Sequence, residues 1–347
     1  MEIDIDMQNN MKIDTLINSG SSKSGKNASQ VAINFFCELQ GYDIKTLNTT
    51  TGKGSYMLKI LQKKISVPYT HTGKVIKKNV TVNLYKLKGL RGFLRRAAEL
   101  RLLELFNEGK IDKGPCTPTA NYPHREILDR HLENGYHLQG TCNPFCYVRR
   151  VYGSLDYRAS LKVFPPYVAK ATVENLPAKV DEYLEDNIKA IFGLHNCVVY
   201  HNESTLKTET FNIIDRTTEL AVNNFMKHCT SGVFPFRIVF TSSTTGSSFQ
   251  LLENIGFFID SLFEIEAGKV QLGADKNNGS GQVKINVKAI SINRKFSELE
   301  RFIAAKNERV YTISFGNTQF QKAETEYTLD SRFGKYCLEL FTKKIGE

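Results

Sequence analysis

At Gly89 the hydrophobic period of this chain changes, and that change limits the folds open to it more than any other feature. Before it, Val80, Val82 and Leu84 alternate with Thr81, Asn83 and Tyr85, the period-two pattern of a half-buried strand. After it, Leu90, Phe93, Leu94, Ala97, Ala98, Leu102, Leu105 and Phe106 recur at three-to-four spacing, the stripe of an amphipathic helix ending near Gly109. A second unit of the same kind follows: the strand-like FPFRIVFTSS, the amphipathic LLENIGFFIDSLFEI, a glycine-rich turn from Gly268 to Gly281, and the strand-like QVKINVKAISI. VAINFFCELQ (31–40) and Ala159–Phe164 predict two more strands, the latter broken by Pro165-Pro166. Strands running into helices exclude an all-α or all-β domain. They predict an α+β fold with a modified RRM- or ferredoxin-like core, its helices on one face of an antiparallel sheet, in a single domain over 1–347. Residues 110–150 carry Cys, His, Pro and Gly with little periodicity and read as a long insertion. The spacing predicts a helix over 179–195, a hairpin or extended arm within 196–230, and inside that stretch a short helix from Glu219 to His228.

The charge is concentrated. The whole chain carries +10, yet Lys53 to Arg101 holds thirteen basic residues against Glu99 alone, a local +12 that leaves the remainder slightly acidic. Such a block is the electrostatic footprint of a polyanion partner. A hydrophobic fraction of 41%, with 22 Phe and 15 Tyr, excludes a disordered chain. No run approaches the length of a membrane-spanning helix, and MEIDIDMQNNMKID lacks the apolar core of a secretory signal. No membrane partner and a cytoplasmic location are therefore expected, with the seven Cys as reduced thiols or metal ligands.

Four constellations bear on chemistry. Lys86, Lys88, Arg91, Arg95 and Arg96 sit at the end of a strand and over the first turns of a helix, with Lys88, Arg91 and Arg95 on one face. Gly89 and Gly92 allow close backbone approach, and a helix N-terminus favours anions, so this reads as a phosphate-tracking surface. Cys116, Cys142, Cys146 and His137 are compatible with a structural zinc that staples the 110–150 insertion; buried thiols are the alternative. The turn from Gly268 to Gly281 is suited to an anion-binding nest. SGSSKSGKN (19–27) nearly spells a phosphate-binding loop, with Asn27 in the place of the metal-holding hydroxyl, and predicts phosphate contact without turnover.

Taken in order, KLKGLRGFLRRA, CNPFCYVRRVYGS, FNIIDRTTELA and LGADKNNGSGQVKI resemble motifs of the RAMP superfamily, specifically the backbone subunits (the Cas seven family) that polymerise along guide RNA in CRISPR effector complexes. The cysteine-bearing segment before Tyr-Gly-Ser is most like the type I-D subunits, with type IV next. The resemblance implies a non-catalytic subunit that binds guide RNA (crRNA), stacks head to tail with copies of itself, joins other effector subunits, and presents the guide to a target nucleic acid. It places Lys88, Arg91 and Arg95 on guide phosphates, with Lys86 and Arg96 beside them and Arg149 and Arg150 in the Tyr-Gly-Ser segment. Asp215, Arg216 and Thr217 would lie on or beside a thumb hairpin, and Lys276, Asn278, Gly279 and Gly281 would form the glycine-loop contact. Two other readings stand beside it. One is a RAMP endoribonuclease, metal-dependent, using Asp43 in a loop after the first strand. The other is a generic single-strand binder stacking bases on Tyr85, Tyr147 and Tyr152.

Overall fold

A computed structural model of the protein describes residues 31–48, 57–71, 74–87, 89–117, 125–138, 146–154, 157–172, 197–200, 206–214, 221–242, 248–273, 280–295, 297–315 and 318–346. In chain order these form β1 (Ala32–Asn48), β2 (Met57–His71), β3 (Lys74–Leu87), α1 (Leu90–Asn107), α2 (Arg125–Glu133), α3 (Tyr147–Tyr152), β4 (Leu161–Phe164), β5 (Tyr167–Thr172), β6 (Cys197–Tyr200), β7 (Leu206–Ile214), β8 (Ala221–Thr241), α4 (Ser248–Glu266), β9 (Gln282–Ile292), a 3₁₀ turn (Ser297–Phe302), β10 (Ile303–Phe315), β11 (Thr318–Leu329) and α5 (Arg332–Gly346).

The fold is mixed α+β, built on an antiparallel sheet of order β10-β11-β9-β1-β8-β4, with β7 added to the far part of β8. A smaller sheet, β2-β3-β5-β6, is antiparallel except for its β5–β6 pair. Alternation sets the inner face of the main sheet. Ile33, Phe35, Cys37 and Leu39 of β1 are buried, while Asn34, Phe36, Glu38 and Gln40 between them are half-exposed. Helix α1 buries Leu90, Phe93, Leu94, Ala97, Ala98, Leu102 and Leu105, the stripe expected from the periodicity. Phe35, Phe240 and Phe258 meet edge to face with ring centroids 5.4–6.2 Å apart, joining β1, β8 and α4 at the centre of the core. Each such ring contributes on the order of 2–3 kcal/mol through burial. Helix α5 docks on α4 through Phe333, Cys337 and Phe341. Burial pushes the Cys37 thiol up to about 12 and raises that of Cys337, so both are inert packing groups.

Two expectations are corrected. Ala221–His228 is not helical: it is the first part of β8, paired on one side with Met226–Thr230 opposite Asn48–Ile44 of β1 and on the other with β7. Leu220, Val222, Phe225 and Met226 mimic a helical stripe, but the β7 ladder, joined by β1 from Met226 onward, overrides local preference. Residues 110–150, which lack clear periodicity, hold α2 and the first residues of α3. The segment expected to be helical over 179–195 lies outside the described residues, as does the phosphate-loop-like 19–27.

A charged network ties α1 to α4. Arg101 bonds Asp260 (Nε to Oδ2, 2.6 Å) and Glu104 (3.3 Å), while Lys269 reaches both Glu104 and, at 3.1 Å, Glu264. Burial pushes the Glu264 carboxyl above its ordinary value against the pull of Lys269. Burial pushes the Glu104 carboxyl up, but its contacts with Lys269, Glu264 and Arg101 together hold it below its ordinary value. Lys269→Ala is therefore expected to destabilise the fold more at pH 7 than at about pH 4. At neutral pH the charged, raised Glu264 loses its compensating cation, and that penalty disappears as pH falls and the carboxyl is protonated. Stability from a lowered Glu104, present above its unfolded value, is absent from the variant. Urea midpoints at the two pH values test this; equal losses at both would contradict it.

Candidate nucleic-acid interface

Helix α1 begins at Gly89, whose φ of 83° is left-handed, and its first turn contains no acidic residue and no side-chain cap. Phe93 donates its N–H to the Gly89 carbonyl at 2.9 Å, the first intrahelical bond. Gly92 is exposed, and a Cβ built on it meets nothing within 4 Å. Its lack of a side chain is not required by packing among the described residues.

Two arginines of this helix face α3. Arg91 Nη2 donates to the Tyr152 carbonyl at 2.5 Å, and Arg95 Nη1 to that of Gly153 at 3.2 Å. These are the last carbonyls of α3 and its C-cap, where cations are favourable. Tyr152 completes the joint by donating its hydroxyl to the Leu94 carbonyl at 3.1 Å, and burial raises its phenol above the ordinary value. From α3 itself, Arg149 Nε donates to Ser154 Oγ at 3.1 Å. Three predicted residues from segments nearly sixty positions apart, Arg91, Arg95 and Arg149, thus converge on the turn Tyr152-Gly153-Ser154. Glu99, the one acid of the basic block, is buried and accepts from Arg95 Nε at 2.8 Å, with Arg96 3.7 Å away. Arg96 also donates to the Tyr136 hydroxyl at 2.6 Å. A guanidinium has five donors, so Arg91 and Arg96, both exposed, keep outward-facing capacity after these bonds.

Other predicted positions fall elsewhere. Lys86 is half-exposed on β3, opposite Leu58 and Tyr167. Arg150 turns inward and is 4% exposed. Lys88, Asp215, Arg216, Thr217, Lys276, Asn278 and Gly279 lie outside the described residues. The thumb-like segment is represented by β7 and the first part of β8, paired from Leu206 opposite Thr230 to Ile214 opposite Ala221, with 215–220 as its connection. Gly281 closes the glycine turn: Leu272 donates its N–H to the Gly281 carbonyl at 2.8 Å, and Gly281 has a φ of 81°. Tyr147 and Tyr152 are buried, so neither offers a face to a base. Asp43 lies within β1, at the register irregularity between Gly41 and Ile44, not in a loop.

For a zinc site, the fold sets Cys116 beside His137 in an isolated parallel bridge, with Thr117 N–H on the His137 carbonyl (2.9 Å) and His137 N–H on that of Pro115 (3.1 Å). Cys116 and Cys146 are buried; Cys142 lies outside the described residues. Among the described residues no three His, Cys, Asp or Glu side chains are grouped to hold a metal. Nor is any helix among them long and apolar enough to cross a membrane.

No protein-family model matches the chain, and no curated protein matches it. Among solved structures it is similar to the crystal structure of Thermofilum pendens Csc2, at a TM-score of 0.32 and 12% identity, covering 77% of this chain and 68% of that one. At that level of likeness, function has to be read from the chain's own residues.

Proposed function

We propose that this chain is a non-catalytic, guide-RNA-binding backbone subunit of a CRISPR effector complex, of the RAMP (Cas seven) kind. The observation that carries this reading is the convergence of Arg91, Arg95 and Arg149 on the 152–154 turn, beside a helix start with an exposed glycine and no acid. The central connectivity supports it. With the elements between them set aside, β1, α1, β4, β8, α4 and β9 run strand–helix–strand–strand–helix–strand in the spatial order β9-β1-β8-β4, which is in keeping with a ferredoxin- or RRM-like core. On this reading the arginines hold guide phosphates, sequence is left to base pairing, and copies stack along the RNA. The same reading carries a structural zinc on Cys116, Cys142, Cys146 and His137, tested by the metal content of the purified protein.

The deciding experiment is extraction of co-purifying nucleic acid. Short RNA of uniform length with a common repeat-derived end is expected; protein free of nucleic acid, or carrying random fragments, would overturn the reading. Arg91→Ala should weaken RNA binding evenly across sequences and flatten its salt dependence by about 0.7 of a log unit per log unit of salt, one phosphate's share on a single strand. Gly92→Ala separates stability from binding. A methyl there meets open space, so the helix should gain up to about 1 kcal/mol. RNA affinity should nevertheless fall, because the methyl stands where a phosphate approaches the helix N-terminus. Urea unfolding and filter binding on one preparation test both; a variant that is more stable and binds equally well would remove the helix start from the interface.

A further inference from the structure

At the other end of α1, about 16 Å along the helix from Arg91, a cleft of about 710 Å³ opens between the 110–114 segment, α3, α4 and the last turn of α5. Arg150 lines it and is held rigidly. Its N–H bonds the Cys146 carbonyl at 3.0 Å, and its own carbonyl accepts from both the N–H (3.2 Å) and Oγ (3.1 Å) of Ser160. The guanidinium lies over the Tyr147 ring, 4.1 Å from its centroid. That ring is in turn clamped between Phe257 and Phe341, at 5.2 and 5.0 Å. The nearest carboxylate, Glu253, stands 3.6 Å from Nη2, too far for a hydrogen bond. Nε and Nη2 have no hydrogen-bond partner among the described residues.

A buried guanidinium with unspent donors is costly, and its fork geometry matches a phosphate or carboxylate. Lys110, Lys113 and Lys344 outnumber the carboxylates Asp112 and Glu253 in the same cleft, while Leu102, Ile111 and Ile345 supply an apolar wall. The volume suits a small organic ligand and far exceeds a bare anion. We propose that this cleft binds a nucleoside 5′-phosphate, with the phosphate on Arg150 and the nucleoside against the apolar wall. Two sources carry that chemistry: a free mononucleotide and the phosphorylated 5′ end of an RNA.

Calorimetric titration of the full chain with AMP and UMP tests this. Saturable binding is expected, weaker by about tenfold or more for adenosine and for inorganic phosphate, since each lacks half of the contacts. Arg150→Met, which keeps bulk and removes the donors, should lower affinity by about tenfold or more. Lys113→Glu, on an exposed residue that does not threaten folding, should lower it in the same direction. Competition of AMP by a 5′-phosphorylated but not a 5′-hydroxyl oligonucleotide would assign the site to an RNA end; AMP binding unaffected by either would assign it to free nucleotide. No saturable binding of AMP or UMP, or binding that ignores both substitutions, overturns the proposal. The guide-RNA reading stands or falls separately, on whether short RNA of uniform length co-purifies with the protein.

Discussion

Gly256→Leu is expected to dislodge the C-terminal helix and to cost the protein most of its stability. Gly256 lies where α4 crosses α5, and even a Cβ there would stand 2.1 Å from the Cys337 carbonyl oxygen and 2.8 Å from Phe341 Cβ. The first of these is backbone, which no rotamer change can relieve. Helix propensity favours replacing a mid-helix glycine by about 1 kcal/mol, but overpacking typically costs more, about 1–3 kcal/mol for small insertions. A leucine adds three further carbons at the same point. Moving α5 away would expose Phe333, Cys337 and Phe341, all fully buried, with on the order of 2–3 kcal/mol lost for each phenylalanine. It would also release the clamp on Tyr147, and with it the support of Arg150. Chemical denaturation together with limited proteolysis of the C-terminal segment measures this. A midpoint equal to that of the parent protein would mean that α5 does not pack at Gly256.

Gly281→Ala is expected to open the glycine turn. At a φ of 81° an alanine costs on the order of 1–2 kcal/mol for its left-handed backbone alone. Its Cβ would fall 2.0 Å from the Leu272 carbonyl oxygen, so the Leu272–Gly281 closure cannot survive unchanged. Leu272 and Ser280 are buried beside it, and their displacement brings the expected loss to roughly 3 kcal/mol. If the turn also contacts RNA, affinity should drop at temperatures where the fold persists. Thermal unfolding and RNA binding of the variant give the two values. Unchanged stability would contradict the geometry of the turn, and lost stability with retained RNA affinity would remove the turn from the interface.

How far the residues could be read in advance depended on how local their reasons were. The buried stripe of α1 follows from Leu90 to Leu105 alone, because 3.6-residue spacing places those side chains on one side whatever they later meet. The alternation of β1 is equally self-contained, although its continuation past Gly41 to Asn48, through a register irregularity, is not. Ala221–His228 has a helix-like pattern and becomes strand because β7 pairs along its length and β1 joins from Met226 onward. Helix α3, YVRRVY, is a single turn rich in residues that favour strands. It is held by Arg91 and Arg95 on its final carbonyls and by the Tyr152 hydroxyl on α1. The same distance effect applies to the candidate interface. The basic residues of α1 were legible as a group, but their meeting with Arg149 and the burial of Arg150 were not.

By itself, then, the sequence determined the α+β class, the core faces of β1, α1 and α4, and the concentration of positive charge between Lys53 and Arg101. Periodicity and charge density are properties of neighbouring residues, and burial on one face is their direct consequence. Only the tertiary structure decided the strand order, the conformation of 221–228, the anchoring of the α1 arginines on the 152–154 turn, and the cleft around Arg150. Each of these is settled by hydrogen-bond or packing partners many positions away, and which partners meet is not written in any one stretch of chain.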